Sequence, residues 1–378
     1  MPLIAKNGLE VLLLHGSPGE MGQEHGRVLG ERLRYGVKEY LRRSAKAFEV
    51  PYDRLCSEAR RCEPFIPEPY REEMTALAEA AKVDYADVLA LNCLVDVDAF
   101  VMQRLYHCCN FVLASPATAG GLFVHGRNLD FPHLGVLPRL AIVIGRGACP
   151  ARSQAGHGTQ DALPTLAVTW AGCVGVLTGV NRAQLTLAEV GSPAPDATLE
   201  GVPVSFLLRQ ALEESTTLEE VYAVLRSTPR TCGVNIAVSD GKNGAASAIE
   251  LTPRLCARRS LRRGGLVVDD VALCSRTSRN RLCHPAGAFR HARMMQLIEA
   301  NHGRIDAEVA LSFLRDRYDG ARGVARGRGY NCLCNAHTLQ SVLFFPDQER
   351  VLLSHGGTPA PAAKFRELRL AQWWATGE

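Results

Sequence analysis

The sequence predicts an α+β fold in which helices and strands run in separate blocks joined by antiparallel hairpins, not in alternating βαβ units. Three observations carry that expectation. The first hundred residues are mainly helical in period, strand-like runs dominate from residue 108 onward, and turn-rich segments at 240–244 and 346–348 separate paired strands. At 378 residues the chain is too long for one small core and suits one large layered body or two domains.

Taken in order, residues 17–48 repeat Met21, Val28, Leu29, Leu33, Val37 and Leu41 at helical steps, with Ser17 as cap and Pro18 in the first turn. Further helices are expected at 69–82 and 85–95. Strands are expected at 123–127, 140–145, 166–170, 174–178 and 185–190, rich in Val, Leu, Ile and Thr with glycine punctuation. Helical pattern returns at 204–213 and at 217–225, where Thr217 caps and Glu219 and Glu220 suit the first turn. Strands at 235–239 and 246–251, helices at 288–300 and 306–315, and a final hairpin of 340–345 with 350–354 complete the chain. Residues 145–164 read as one long surface loop.

Bulk properties narrow the function. The apolar share of 47% is ordinary and the net charge is only +4. Arg258, Arg259, Arg262 and Arg263 cluster without interleaved aromatic residues, so they read as a solvated loop and not a nucleic-acid groove. No apolar run approaches the roughly 20 residues needed to cross a bilayer. The N-terminus has no export signal, which makes a cytoplasmic address the expectation. The 13 cysteines contain no CxxC pair, and Cys332 with Cys334 is a lone CxC, so no metal site is expected.

Two of those cysteines, Cys108 and Cys109, are adjacent, and Gly126-Arg127-Asn128-Leu129-Asp130-Phe131 follows across a Gly120-Gly121 turn. The two runs form a hairpin that brings its first residue and its Arg/Asp end into one neighbourhood. A cysteine attacks a carbonyl as thiolate and needs a base and oxyanion donors. His107 is poorly placed to serve its immediate neighbour. If the bond before the cysteine is cut, the freed α-amine can be the base, since its ordinary pKa of roughly 7.7 to 8.0 lies near working pH. A Gly-x-Ser-x-Gly elbow is absent, which disfavours a serine hydrolase.

The stretch from Cys108 through Phe111 and Gly120 to Gly126-Arg127-Asn128-Leu129-Asp130 resembles the nucleophile segment of N-terminal-nucleophile hydrolases related to isopenicillin N acyltransferase (acyl-CoA:6-aminopenicillanic acid acyltransferase). Choloylglycine hydrolases and penicillin V acylases are wider relatives. Gly16-Ser17-Pro18 with His25-Gly26, Gly179-Val180-Asn181, Asn235 with Asp240 and Glu250, and Gln340-Ser341-Val342 extend the likeness along the chain.

The resemblance implies a four-layer αββα sandwich with mainly antiparallel sheets. It further implies cleavage between His107 and Cys108, leaving a helical α segment (1–107) associated with a β chain (108–378) that carries the catalytic core. On the matching positions Cys108 is the nucleophile, Asp130 holds its α-amine, and Arg127 favours the thiolate. Asn235 donates to the oxyanion, Asn181 is a second polar contact, and Arg290 is a further arginine. Cys109 stands where a small hydroxyl residue is more usual and is the alternative nucleophile. His107 stands where many relatives carry glycine. The implied activity is amide hydrolysis or acyl transfer on a small-molecule amide or thioester through an acyl-enzyme. No cofactor is implied, and acyl-CoA enters only as a candidate substrate. A relative that cannot process itself and binds an acylated small molecule without turnover is the alternative. The acyl group, the leaving amine and the oligomeric state stay open.

Overall fold

The computed structural model describes residues 3–6, 8–101, 108–149, 161–278 and 285–374. Its strands are β1 (Leu3–Lys6), β2 (Leu9–Leu14), β3 (Cys109–Leu113), β4 (Val124–Asp130), β5 (Ala141–Arg146), β6 (Thr165–Trp170), β7 (Thr178–Asn181) and β8 (Leu185–Gly191), followed by β9 (Val234–Asp240), β10 (Ala245–Leu251), β11 (Cys256–Ser260), β12 (Gly265–Asp269), β13 (Thr338–Phe345), β14 (Arg350–His355) and β15 (Arg366–Arg369). They form a nine-stranded sheet ordered β1-β2-β5-β6-β7-β8-β9-β10-β11 and a six-stranded sheet ordered β12-β3-β4-β13-β14-β15. Every pairing is antiparallel except β2 with β5.

The helices are α1 (Pro18–Phe48), α2 (Tyr52–Cys62), α3 (Glu68–Ala81), α4 (Tyr85–Asn92), α5 (Leu94–Val101), α6 (Leu137–Leu140), α7 (Val204–Glu214), α8 (Leu218–Ser227), α9 (Ser275–Ser278), α10 (Pro285–Ala300), α11 (Ala307–Leu314) and α12 (Ala371–Trp374). The α1–α5 group with α7 and α8 covers the outer face of the large sheet through one continuous apolar cluster. On the small sheet, Cys109, Phe111 and Leu113 pack against Met294 and Ile298 of α10 and Phe313 of α11. The inner faces meet through Val112, Phe123, Leu266 and Val268 against Ala237 and Ala248, and through Val143 and Val168 against Val342 and Phe344. The order helices, sheet, sheet, helices is the α+β sandwich that the sequence implied.

Local chemistry explains the entry into α1. Ser17 accepts from the Glu20 amide at 3.3 Å while Glu20 accepts from the Ser17 amide at 2.8 Å, a reciprocal capping box with Pro18 in the first turn.

Four expectations need correction. The first hundred residues contribute two strands as well as helices. In β2, Leu9, Val11 and Leu13 face one cluster and Leu12 and Leu14 the other, so burial on both faces erases the alternation by which a strand is recognised. α2 was unforeseen. The strand expected at 174–178 begins instead at Thr178, because Asn92 Oδ1 accepts the Val174 and Gly175 amides at 2.7 and 3.2 Å and holds that segment as a loop. Arg258 and Arg259 lie in the edge strand β11, where Arg258 pairs with Glu219 at 2.6 Å and Arg259 with Glu250 at 2.8 Å. Of the long loop, residues 150–160 lie outside the described residues.

Candidate active site

The β3–β4 hairpin builds the site. Gly120 and Gly121 turn the chain at φ +60° and +73°, a backbone region open to glycine, and the register that follows sets Asn110 opposite Arg127 and Cys109 opposite Asn128. Strand alternation then separates the two cysteines. Cys109 joins Phe111 and Leu113 under α10 and α11, whereas Cys108 belongs to the cluster on the side of the large sheet. Cys108 is buried, with its Sγ 3.9 Å from Arg127 Nη2 and 3.8 Å from the Asp130 carbonyl oxygen. Burial pushes its thiol up to about 12 in the intact chain, against the pull of the Arg127 guanidinium. Burial likewise holds the Cys109 thiol well above its ordinary range.

Arg127 is fully buried and reaches across to the large sheet. Its Nη1 donates to the Glu189 carbonyl oxygen and to Asn110 Oδ1 at 3.3 Å, and its Nη2 lies 3.9 Å from Glu189 Oε2. Burial raises the Glu189 carboxyl to about 7, with Arg127 opposing. Asp96 of α5 also faces Glu189 electrostatically. It is raised to about 6 by burial while accepting from Thr231 Oγ1 and the Val204 amide.

At the end of β4, Asp130 accepts from Thr338 Oγ1 at 2.6 Å through one carboxylate oxygen and from Asn335 Nδ2 through the other. Burial raises it to about 7, opposed by Thr338, Arg290, Asn335 and Arg127. Arg290 of α10 is buried behind it, ion-paired to Asp270 at 2.5 Å. Asn235 of β9 donates from Nδ2 to the Asp269 and Val271 carbonyls at 2.7 and 3.3 Å, and Asp269 is the register partner of Cys109.

Cys108, Arg127, Asp130 and Asn235 are therefore gathered at one end of the sandwich, with Arg290 supporting Asp130. Asn181 is engaged elsewhere. Its Nδ2 donates to the Leu212 and Ser215 carbonyls, both at 2.8 Å, and its Oδ1 accepts the Leu185 amide at 3.0 Å, so it ties the end of α7 to the β7–β8 turn. His107 lies outside the described residues. Sequence reasoning missed Asn110, Glu189, Asn335 and Thr338. Asn110 was recoverable, because it is two residues after Cys108 and shares its face. Glu189 was also recoverable as the lone acid in an apolar strand. Asn335 and Thr338 carried no such signal, since a loop residue paired to Asp130 across two hundred positions has no local pattern.

Beside the site an apolar cavity of about 30 Å³ is lined by Tyr40, Val95, Phe131, Leu137, Trp170 and Leu177 among others. Phe131 follows Asp130 directly. Among the described residues no group of three or more His, Cys, Asp or Glu side chains converges as a metal would require, and no described helix is long and apolar enough to cross a membrane.

Comparison with known proteins gives a consistent set. Residues 161–359, just over half of the chain, match the family of acyl-coenzyme A:6-aminopenicillanic acid acyl-transferase. An uncharacterized protein of Archaeoglobus fulgidus is 28% identical over 262 residues, 62% of this chain and 42% of that protein. The N-acylethanolamine-hydrolyzing acid amidase of Mus musculus is 26% identical over 175 residues, 44% of this chain and 42% of that one. The chain spans about half the length of the curated relatives it matches. Among solved structures, a Caenorhabditis elegans ortholog of that amidase has a TM-score of 0.44 at 18% identity, covering 64% of this chain and 93% of the other. A conjugated bile acid hydrolase from Clostridium perfringens has a TM-score of 0.46 at 14% identity, covering 70% and 93%.

Proposed function

From the premise that the chain belongs to the acyl-coenzyme A:6-aminopenicillanic acid acyl-transferase family, we propose that it is a self-processing cysteine amidohydrolase or acyltransferase with Cys108 as nucleophile. The observation that carries the reading is the Cys108 thiol held 3.9 Å from the buried Arg127 guanidinium while Cys109 faces the opposite side of the same strand. In the intact chain a thiol at about 12 is almost wholly protonated at neutral pH and lacks a base for repeated turnover. Cleavage of the 107–108 bond supplies what is missing. The new α-amine takes the thiol proton, Asp130 accepts from the resulting ammonium, and Arg127 faces the thiolate.

The thiolate attacks the substrate carbonyl carbon. An Asn235 Nδ2 hydrogen, now on the long bond to Val271, is the side-chain donor nearest in role to the oxyanion. Collapse breaks the carbon–nitrogen bond, and the leaving amine takes the proton from the α-ammonium. Water then resolves the acyl-enzyme in hydrolysis, and an amine resolves it in transfer. Acyl-CoA is a candidate donor, and no cofactor enters the chemistry. Residues 1–107 stay with the β chain through the shared apolar cluster that holds α1–α5 against the large sheet.

Intact-mass analysis of the purified protein tests the reading. Two fragments are expected, the larger beginning at Cys108. Cys108→Ala is expected to abolish cleavage and amide turnover while Cys109→Ser keeps both. A single full-length species that a thiol-directed acyl probe does not label would overturn the enzyme reading in favour of a binder without turnover. Offering an acyl amide with and without amine acceptors distinguishes hydrolysis from transfer.

A further inference from the structure

Asn235 is held by a turn whose side chains the mechanism does not use. Where β12 ends, three successive carbonyls are received by side chains of the large sheet and its flank. Asn235 Nδ2 donates to those of Asp269 and Val271 at 2.7 and 3.3 Å, and Ser192 Oγ donates to that of Asp270 at 2.9 Å. The acidic side chains of the same turn go instead to α10. Asp269 Oδ2 accepts from His291 Nδ1 at 2.8 Å, and Asp270 Oδ1 accepts from Arg290 Nη2 at 2.5 Å. Gly287 permits that approach, since a Cβ there would lie 2.5 Å from Asp270 Oδ1.

One further bond fixes the turn from within. Asp269 Oδ1 accepts the Val271 amide at 3.0 Å, the two-residue reach by which an aspartate side chain closes an Asx turn. Asp269 is buried, so both of its carboxylate oxygens need donors, and the Val271 amide and His291 supply them. The same carboxylate thus sets the spacing of the two carbonyls that receive Asn235. Their bonds are unequal: the short one to Asp269 anchors the amide, and the long one to Val271 leaves a hydrogen poised for an oxyanion.

Resting on the function proposed above, we infer that Asp269 and His291 are positioning residues for the oxyanion donor. The Asp269 side chain, seated on α10 by His291, holds the turn that aims the Asn235 amide. Neither residue is required to touch the substrate. Their loss slows the steps that pass through an oxyanion and spares reactions of the thiol that do not.

Two reagents separate those classes on the mature protein. With p-nitrophenyl acetate the Cys108 sulfur adds to the carbonyl carbon, an oxyanion forms, and its collapse expels p-nitrophenolate. With iodoacetamide the sulfur displaces iodide from a saturated carbon and no oxyanion forms. Intact mass first establishes that each protein is cut before Cys108. Nitrophenolate release is then read above the rate of Cys108→Ala, and alkylation is read at the Cys108 peptide by mass spectrometry. For Asp269→Ala, release is expected to slow about ten- to a hundredfold, short of the loss on deleting a donor outright, while alkylation is unchanged. Asp269→Asn keeps the turn and should restore the rate, and His291→Ala should fall between the two. If Asp269→Ala stays uncut, His291→Ala decides the question by the same pair of rates. Parallel loss of both reactions, unchanged release, or an Asp269→Asn as slow as Asp269→Ala would overturn the inference. Wild-type Cys108 that is alkylated but releases no nitrophenolate would instead overturn the catalytic reading, and the inference with it.

Discussion

Gly126 is the glycine of the Gly-Arg-Asn-Leu-Asp sequence, and its role is steric. A Cβ added there would lie 2.2 Å from Phe111 Cζ and 2.6 Å from Cε1 and Cε2, where carbon atoms rest at about 3.5–4.0 Å. The ring cannot easily retreat, because Phe111 is fully buried and meets Phe313 edge-on at 6.0 Å and 73°. Gly126→Ala therefore overpacks the interface between the small sheet and α11, at about 1–3 kcal/mol. For 378 residues the unfolding entropy is about 0.8 kcal/mol per degree, so the melting temperature should fall by about 1–4 °C. The functional effect should be larger. Phe111 lies in β3 three residues after Cys108, which leads directly into that strand, and a shift of about 1 Å in the thiol's 3.9 Å approach to Arg127 can cost on the order of a hundredfold in rate. Thermal unfolding and amide turnover, measured for Gly126→Ala, Phe111→Leu and the double variant, test the argument. The smaller side chain should absorb part of the penalty, so the double variant should be more stable than the sum of the single changes allows. Strictly additive losses would refute the contact as the cause.

Other outcomes follow from the buried charges. Glu73 of α3 receives Arg146 of β5 at 3.1 Å and Arg209 of α7 at 2.5 Å, and all three are buried. Glu73→Gln leaves the Arg146 guanidinium without its carboxylate and Arg209 with Glu213 alone, and should cost about 3–5 kcal/mol, or about 4–6 °C by the same conversion, read from thermal melts. Glu189 is raised to about 7 from an unfolded value of about 4.3, so its contribution is full at low pH and is lost as pH rises through about 7. In melts of the unprocessed Cys108→Ala chain, Glu189→Gln should therefore gain stability relative to its parent between pH 5 and pH 8, and a pH-independent difference would contradict the assignment. Thr338→Ala removes a hydrogen bond that lowers Asp130, so the acid limb of the rate profile should move to higher pH.

The parts of this molecule that were legible in its sequence are those with local causes. The α1 cap, the glycine turn and the Cys108–Asp130 spacing each act within a few turns or one hairpin, and each has a residue pattern that follows from its geometry. The family likeness extended that reach to Asn235 and Arg290, whose positions around Asp269, Asp270 and Asp130 depend on two sheets meeting. Where burial is two-sided, as in β2, the pattern vanished because there is no polar face to alternate with.

Asn181 illustrates a different failure. An asparagine at a strand end has three hydrogen-bonding sites of equal value to a substrate or to a turn, and the C-terminal carbonyls around Leu212 and Ser215 need two donors that α7 cannot supply to itself. The side chain that fills this need is fixed by where α7 ends relative to β7, a tertiary fact with no trace in the residues flanking Asn181. The same reasoning applies to Asn335 and Thr338, because Thr338 opens β13 in register with Asp130 and that pairing of β13 with β4 brings the preceding loop, with Asn335, against the same carboxylate. Chemistry written into one hairpin is thus completed by groups brought in through strand pairing, and it is there that substitutions distant in sequence should alter the environment of Cys108.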